Sequence, residues 1–137
     1  MAYIYPGEFL QGLFDSEGSI RPNALLISGY TLDVTIGNSE VLSLATKLLK
    51  KLGYRTKTST KPPKTRVIDN RIVHFKQCYR IRILGGKQTL HKFAAEIGFR
   101  EGMRRRKLAA LLEALKHPPK ERRKIYRQFL NSFSFTR

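Results

Sequence analysis

The sequence has little cysteine and no long apolar run. Its 137 residues include a single cysteine, Cys78, which cannot form an internal disulfide and therefore fits a reducing compartment. No apolar run is long enough to span a membrane, and the N-terminus lacks the charged-then-apolar order of a secretory signal. We expect one domain over residues 1–137 that is not secreted and is either cytoplasmic in a prokaryote or organellar.

Acidic residues are also scarce. Lysine and arginine number 27 against ten aspartate and glutamate residues, for a net charge of +17. Residues 50–82 hold eleven basic residues and one acid, residues 100–137 hold twelve and three, and residues 1–49 hold two and five. Such a field attracts polyanions and makes their binding depend steeply on salt. This distribution favours a polyanion held beside a carboxylate site; the simpler alternative is a solvated surface or a generic nucleic-acid-binding protein.

Residues 6–18 predict a short helix that ends beside two carboxylates. Pro6 suits the first helical turn, and Gly18 is expected to end the helix in the left-handed conformation. Asp15 and Glu17 lie at the C-terminal end, where the helix dipole disfavours negative charge, so a cation should compensate them or solvent should surround them. Four apolar residues recur at helical spacing, namely Phe9, Leu10, Leu13 and Phe14.

The same helix carries one face with almost no side chains. Gly12 and Ser16 are four residues apart and therefore share this face. Because neither residue is bulky, a second backbone can approach the helix closely there.

The remaining chain predicts an α+β fold. Apolar alternation predicts strands at 19–28, where Pro22 interrupts the pattern, and at 30–36, 54–60 and 71–84. Helical periodicity predicts helices at 39–52, 89–97, 102–116 and 121–130, the first capped by Asn38 or Ser39. The order is α-β-β-α-β-β-α followed by two further helices, without an internal repeat. This order favours a four-stranded antiparallel sheet with helices on one face.

The other face of that sheet is too polar and basic to be a core. Arginine and lysine suit guanine edges and phosphates, asparagine suits adenine, and threonine suits either base. We therefore expect the phosphates and base edges of a nucleic acid to bind there. The predicted nucleic-acid-contacting residues are Ser19, Arg21, Asn23, Thr31, Asp33, Thr35, Arg55, Lys57, His74, Lys76, Arg80 and Arg82.

The segment Leu10 to Gly18, L-Q-G-L-F-D-S-E-G, resembles the LAGLIDADG motif of homing endonucleases. It departs from that motif at four positions, namely Gln11, Phe14, Ser16 and Glu17. Glu17 replaces the more usual aspartate and keeps a carboxylate at the metal-binding position, whereas Gln11 is bulkier than the usual residue. The order α-β-β-α-β-β-α is also that of the LAGLIDADG core, so the resemblance covers nearly the whole chain.

The resemblance implies a site-specific endonuclease. A chain with one motif forms a homodimer through its motif helices, with Gly12 and Ser16 at the interface. The two sheets straddle the major groove of a long, nearly palindromic DNA target, and hydrolysis leaves short 3′ overhangs. Glu17 and the carbonyl oxygen of Ser16 would bind Mg²⁺ or Mn²⁺, with Ca²⁺ as a non-catalytic substitute. No membrane and no small-molecule cofactor is involved.

The resemblance also places a basic residue near the scissile phosphate, within residues 104–107. Arg104 is the first candidate for this catalytic role and Lys107 the second, although all four residues can equally well contact phosphates. His74 is a candidate for activating water because imidazole is a common general base, but contact with DNA or solvent is the simpler role. Asp15 fits a local cap better than a metal ligand. His91, His117 and Cys78 lack partners at metal-ligand spacing.

Three functions remain open at this stage. The first is a homodimeric DNA endonuclease, the second an RNA-splicing maturase of the same fold without cleavage, and the third a non-enzymatic nucleic-acid-binding protein. Glu17 separates them, because cleavage needs its carboxylate and electrostatic binding does not.

Overall fold

The computed structural model describes residues 5–23, 29–100 and 102–133. Its helices and strands follow each other in a mixed order. They are α1 (Pro6–Glu17), β1 (Gly18–Asn23), β2 (Gly29–Ile36), α2 (Ser39–Lys51), β3 (Arg55–Lys61), β4 (Lys64–Ile68), β5 (Arg71–Phe75), β6 (Cys78–Leu84), α3 (Lys87–Glu96), α4 (Met103–Ala114) and α5 (Pro119–Phe133). Residues 24–28, which were predicted to continue the first strand, lie outside the described residues.

Four of the strands form one antiparallel sheet in the order β1-β2-β6-β3. This confirms the predicted α+β class with its four-stranded antiparallel sheet and additional C-terminal helices. Pro22 lies in β1, an edge strand, where its missing N–H interrupts no central ladder. No helix within the described ranges combines the length and the apolar character needed to cross a membrane.

A cluster of aromatic rings fixes the orientation of α1. Phe14 is fully buried, and its ring centroid lies 5.1 Å from that of Phe93 and 6.4 Å from that of Phe99, both nearly edge-on. Because this buried side chain sets the rotation of the helix, Gly12 and Ser16 are turned outward and are exposed. The strand residues of the same core are Ile20, Tyr30, Leu32, Val34, Ile36, Ile81 and Ile83.

The predicted left-handed helix end at Gly18 is wrong. Its φ of −79° and ψ of 156° are extended, because β1 begins at this residue without a connecting loop. A glycine is nevertheless required by close approach, since an added Cβ would lie 2.4 Å from the carbonyl oxygen of Phe14. The abrupt change from helix to strand places Glu17 directly before the sheet.

The single strand predicted at residues 71–84 is also wrong. It is divided into β5 and β6, and residues 76–77 between them belong to neither. The unpredicted strand β4 pairs with β5 in a separate two-stranded sheet, the β4–β5 hairpin. Asp69 and Asn70 close its two-residue turn with φ values of 49° and 63°, a conformation that these residue types tolerate.

The helical predictions hold with shifted ends. Asn38 caps α2, because its Oδ1 accepts hydrogen bonds from the backbone N–H groups of Glu40 and Val41. Gly98, with a φ of 62°, follows α3 at the predicted stop. The last helix begins earlier than predicted, at Pro119, since proline fits the first helical position.

Candidate functional site

Cross-strand register aligns the predicted polar residues on one face of the four-stranded sheet. Directly paired residues point to the same side, so each row of partners shares a face. One row runs through Ser19, Asp33, Arg82 and Lys57 across all four strands. A neighbouring row pairs Thr35 with Arg80 and Arg80 with Ser59. The structure therefore brings the basic strand residues together on the face opposite the helices.

Asp33 lies beneath two arginine side chains of this face. Its side chain is 4 % exposed, and its Oδ2 lies 3.9 Å from Nη2 of Arg21 and 3.8 Å from Nε of Arg80. Within the described ranges, neither this Oδ2 nor the buried Nε of Arg80 has a hydrogen-bond partner. The expectation that Asp33 contacts DNA does not fit this burial, because its neighbours cover it. The carboxylate is instead placed to orient the two guanidinium groups.

Asn23 and Thr31 are engaged with each other at the edge of the face. The hydroxyl of Thr31 donates to Oδ1 of Asn23 at 2.5 Å, and Nδ2 of Asn23 donates to the carbonyl oxygen of Tyr30 at 2.8 Å. Thr31 is also buried. Both residues lie on the predicted face, but their polar atoms already bind other groups of the chain.

The long basic side chains are more accessible. Arg55, Lys57 and Arg82 are exposed, and the side chain of Arg21 is half exposed. Ser19 and Thr35 are half-buried, and Oγ of Ser19 lies 3.5 Å from a guanidinium nitrogen of Arg21. The accessible surface of this face is therefore mainly cationic.

His74 and Lys76 lie outside the four-stranded sheet, contrary to their predicted placement on its face. His74 belongs to β5, and its Nδ1 lies 3.2 Å from the hydroxyl of Thr65. Lys76 lies in the break before β6. The reason is the division of the predicted long strand, which moves both residues onto or beside the β4–β5 hairpin.

The C-terminal end of α1 carries the candidate metal-binding groups. Glu17 is the last helical residue, and its side chain is exposed. Ser16 is also exposed, and its hydroxyl donates to the carbonyl oxygen of Gly12 at 3.0 Å. Glu17 immediately precedes β1, so its carboxylate lies where the helix meets the first strand of the cationic face.

Arg104 closes this helix end. Its Nε donates to the carbonyl oxygen of Gly18 at 2.6 Å, and its Nη1 donates to the carbonyl oxygen of Asp15 at 2.5 Å. The cation therefore satisfies carbonyls that the helix leaves unpaired and counters the negative end of the helix dipole. This is the compensating charge that the sequence requires. Two guanidinium nitrogens of Arg104 donate to backbone carbonyl oxygens. The side chain is therefore not directed at a phosphate through these nitrogens.

The segment before α4 makes a further contact with α1. The backbone N–H of Arg100 donates to Oδ1 of Asp15 at 2.9 Å, and Nη1 of Arg105 donates to the carbonyl oxygen of Arg100 at 3.1 Å. Asp15 thus accepts a hydrogen bond from a residue 85 positions away, so it joins α1 to the segment before α4. Lys107, the second candidate cation, is half-buried one turn after Arg104.

The described part of the chain contains no group of three or more histidine, cysteine, aspartate or glutamate side chains that could hold a metal ion. His117 lies 3.6 Å from a carboxylate oxygen of Glu113, His91 is exposed, and Cys78 is a free, half-buried thiol. Within one chain the candidate set is therefore the Glu17 carboxylate and the Ser16 carbonyl. Both are hard oxygen ligands of the kind that Mg²⁺ accepts, but they are too few to enclose an ion.

Comparison with known families agrees with this arrangement. The family model of the LAGLIDADG-like domain matches residues 5–98, from the start of α1 to the end of α3. The chain belongs to this family. The match supports a homing endonuclease or maturase, and LAGLIDADG proteins are typically nucleases.

One relative extends the likeness beyond the LAGLIDADG-like domain. An uncharacterized protein of Methanocaldococcus jannaschii is 31% identical over 117 residues, which is 84% of this chain and 41% of that protein. The chain therefore spans less than half the length of this relative. Helices α4 and α5 lie beyond the segment that the family model matches.

Two features of the LAGLIDADG site were missed from the sequence. The sequence left open whether a cation or solvent compensates the end of α1, and the cation, Arg104, lies 86 residues beyond Gly18 with no local pattern to join them. The burial of Asp33 was also missed, since alternation assigned the residue to the polar face. An acid whose strand lies between two strands that each carry an arginine is the signal that would have indicated an ion-paired centre.

Proposed function

We propose that the protein is a site-specific DNA endonuclease that acts as a homodimer. It would cleave a long pseudo-palindromic duplex by metal-dependent hydrolysis and leave short 3′ overhangs. The observation that carries the proposal is the exposed Glu17 carboxylate, which lies at the junction of α1 and β1 beside the cationic sheet face. DNA on that face would bring a phosphate towards an acid held at a defined helix end.

The exposed face of α1 supports the homodimer. Gly12 is exposed, and a Cβ built on it would meet nothing within 4 Å. Glycine inside a helix costs roughly 1 kcal/mol relative to alanine, and no packing within the described chain requires it. A second copy of α1 packed on this face explains the small residue.

Dimer formation would bring two Glu17 carboxylates together. Two like charges about 4 Å apart repel by roughly 4 kcal/mol at an effective dielectric constant near 20. Divalent cations offset that repulsion, and the Ser16 carbonyls of both copies, water and phosphate would complete the oxygen set. A bound Mg²⁺ would orient water and stabilise the oxygens around phosphorus.

The chain's own residues then have separate tasks. Glu17 holds the metal, and Arg104 fixes the carbonyls of Asp15 and Gly18 on either side of it. Lys107 would offset negative charge on the scissile phosphate. A guanidinium nitrogen of Arg104 that contacts DNA would do the same. The cationic face positions the duplex through phosphates and base edges.

The dimer proposal gives one prediction for Gly12. Gly12→Leu should raise the dissociation constant of the dimer at least about tenfold, because a branched side chain separates the two helices by more than their contact tolerates. Sedimentation equilibrium over a concentration series measures this. Gln128→Leu, an exposed position on α5, is the matched control. An unchanged dimer in Gly12→Leu would show that this face of α1 is not the interface.

A second prediction concerns Arg80. Arg80→Ala should weaken binding by roughly 1–3 kcal/mol and relax preference at one target position, if its guanidinium reads a base. Selection of bound duplexes from a randomised library, followed by sequencing, measures both effects. Arg82→Ala changes the same face without removing a partner of Asp33, so it should leave the melting temperature closer to wild type. An equal loss across all targets for Arg80→Ala would identify a phosphate contact instead.

Cleavage of a randomised duplex library with Mg²⁺ tests the proposed function itself. Cut ends with one fixed stagger around one pseudo-palindrome would establish the reaction, its symmetry and its specificity together. Binding without cutting would contradict the endonuclease and leave the maturase or a non-enzymatic binder.

A further inference from the structure

Helix α5 carries a stripe of cations on one face. Residues at i, i+3, i+4 and i+7 share a helix face, and four exposed basic residues follow this spacing. We call these residues the α5 stripe: Lys120, Arg123, Lys124 and Arg127. In the described part of the chain none of them forms an ion pair. The stripe lies outside the segment matched by the family model, so the family does not account for it.

The opposite face of α5 is attached to the body of the protein. Tyr126 is 8 % exposed and belongs to the core, and three further residues of α5 pack against that core, namely Ile125, Phe129 and Leu130. Burial raises the pKa of the Tyr126 hydroxyl above its ordinary value. The α5 stripe is therefore presented by a packed helix with a fixed rotation.

The stripe works against the stability of the helix that carries it. Its four members form four like-charge pairs at i,i+3 or i,i+4 spacing, and each such pair destabilises a helix by roughly 0.2–0.5 kcal/mol. Glu121, the only acid of α5, lies three residues before Lys124, but within the described residues it forms no ion pair with the stripe. Nothing in the described chain neutralises the stripe, so its chemistry fits an external polyanion.

The apolar face decides which polyanion fits. A helix that binds an anionic membrane inserts its apolar side into the lipid, whereas the apolar side of α5 is already packed in the core. Nucleic acid requires no such insertion, because lysine and arginine contact its phosphates from the surface. The four cations lie within eight residues and span about 10 Å of helix, a length that faces about three phosphates of one DNA strand.

We propose that the α5 stripe binds the phosphate backbone of duplex DNA, as a second contact region separate from the four-stranded sheet. The duplex is the one assigned by the proposed function, but this contact needs neither cleavage nor a specific sequence. It would add affinity and salt dependence without adding base preference.

The test measures binding of a 40-base-pair duplex of random sequence across a salt series, in EDTA, so that cleavage plays no part. The stripe variant combines Arg123→Gln, Lys124→Gln and Arg127→Gln. The slope of log K against log salt changes by about 0.9 for each phosphate contact, so this variant should lose about 2–3 units of slope. At low salt its affinity should fall at least about tenfold.

The matched control removes the same charge from α2. Lys47→Gln, Lys50→Gln and Lys51→Gln together change three exposed lysines on a different helix, which packs against β2, β3 and β6. This control should change the slope by less than about one unit. Equal slope changes in the two variants would overturn the proposal, because they would show an effect of net charge alone.

Two more measurements separate the remaining outcomes. A melting curve should show that the stripe variant is folded, since removing like charges relieves repulsion. The double variant Arg123→Lys with Arg127→Lys keeps the charge, so it should keep the slope of log K against log salt. A stripe effect larger on duplex RNA than on DNA would overturn the choice of DNA. Library cleavage tests the proposed function independently, so either proposal can fail alone.

Discussion

Glu17→Gln should abolish cleavage while DNA binding persists. The amide keeps the size and polarity of the side chain but removes the charge that holds a divalent cation. Loss of metal assistance is worth several kcal/mol at the transition state, which corresponds to at least about a thousandfold in rate. Single-turnover cleavage of a selected target with Mg²⁺ measures this, and gel-shift binding in Ca²⁺ measures the affinity. We expect an affinity within about threefold of wild type, because Glu17 is exposed and the cationic face is unchanged.

Glu8→Gln is the matched control for this experiment. Glu8 is an exposed acid in the first turn of the same helix, so the substitution makes the same chemical change at the other end of α1. It should leave the rate nearly unchanged. Cleavage at a wild-type rate by Glu17→Gln would remove Glu17 from the active site, whereas loss of binding would give it a role in holding the dimer or the fold.

Arg104→Ala should lower both stability and activity. The half-buried guanidinium donates one charge-assisted hydrogen bond to α1 and one to the first residue of β1, so its removal leaves the carbonyl oxygens of Asp15 and Gly18 without these donors. Hydrogen bonds to charged groups contribute roughly 1.5–3 kcal/mol each, and because water can replace part of both bonds at this half-buried site, we expect a loss of about 2–4 kcal/mol in the free energy of unfolding. Urea denaturation measures it. Cleavage should fall by about a hundredfold, because the end of α1 that carries Glu17 becomes less fixed.

Arg105→Ala tests whether this effect depends on position. Arg105 is the next residue of α4 and has the same charge, but it contacts Arg100 rather than α1. Its removal should change stability by less than about 1 kcal/mol, as expected for an exposed polar contact. Arg104→Lys should recover part of the activity, since an ammonium group keeps the charge but cannot match the fork geometry. Equal effects of Arg104→Ala and Arg105→Ala would contradict the role of Arg104 at the helix end.

Local patterns predicted most of the fold. Period-3.6 and period-2 spacing set the helices and the four-stranded sheet, because each element buries one face and the core selects residues accordingly. The same patterns failed at residues 71–84, where alternation continues across a break that only the pairing of β4 with β5 explains. Asp69 and Asn70 are residue types that favour such a turn. The turn could be predicted only after residues 64–68 had been recognised as a strand.

The candidate site was predicted only as far as its residues are neighbours in sequence. Gly12, Ser16 and Glu17 lie within one short motif, so their placement on α1 followed from helical spacing. The contact of Arg104 with that helix joins residues 89 positions apart, and burial of Asp33 depends on three strands at once. Such contacts arise from tertiary packing between residues that are far apart in the sequence, and local spacing patterns do not reveal them.

The acid between Arg21 and Arg80 limits how this surface can evolve towards new targets. Changing Arg80 alone would leave the desolvated Asp33 carboxylate with the half-exposed Arg21 as its remaining cation, and removing one partner of a buried ion pair commonly costs several kcal/mol. A variant lineage would therefore have to exchange Asp33 together with the neighbouring arginines, or pass through poorly folded intermediates. Redesign of specificity should therefore change Arg21, Asp33 and Arg80 together.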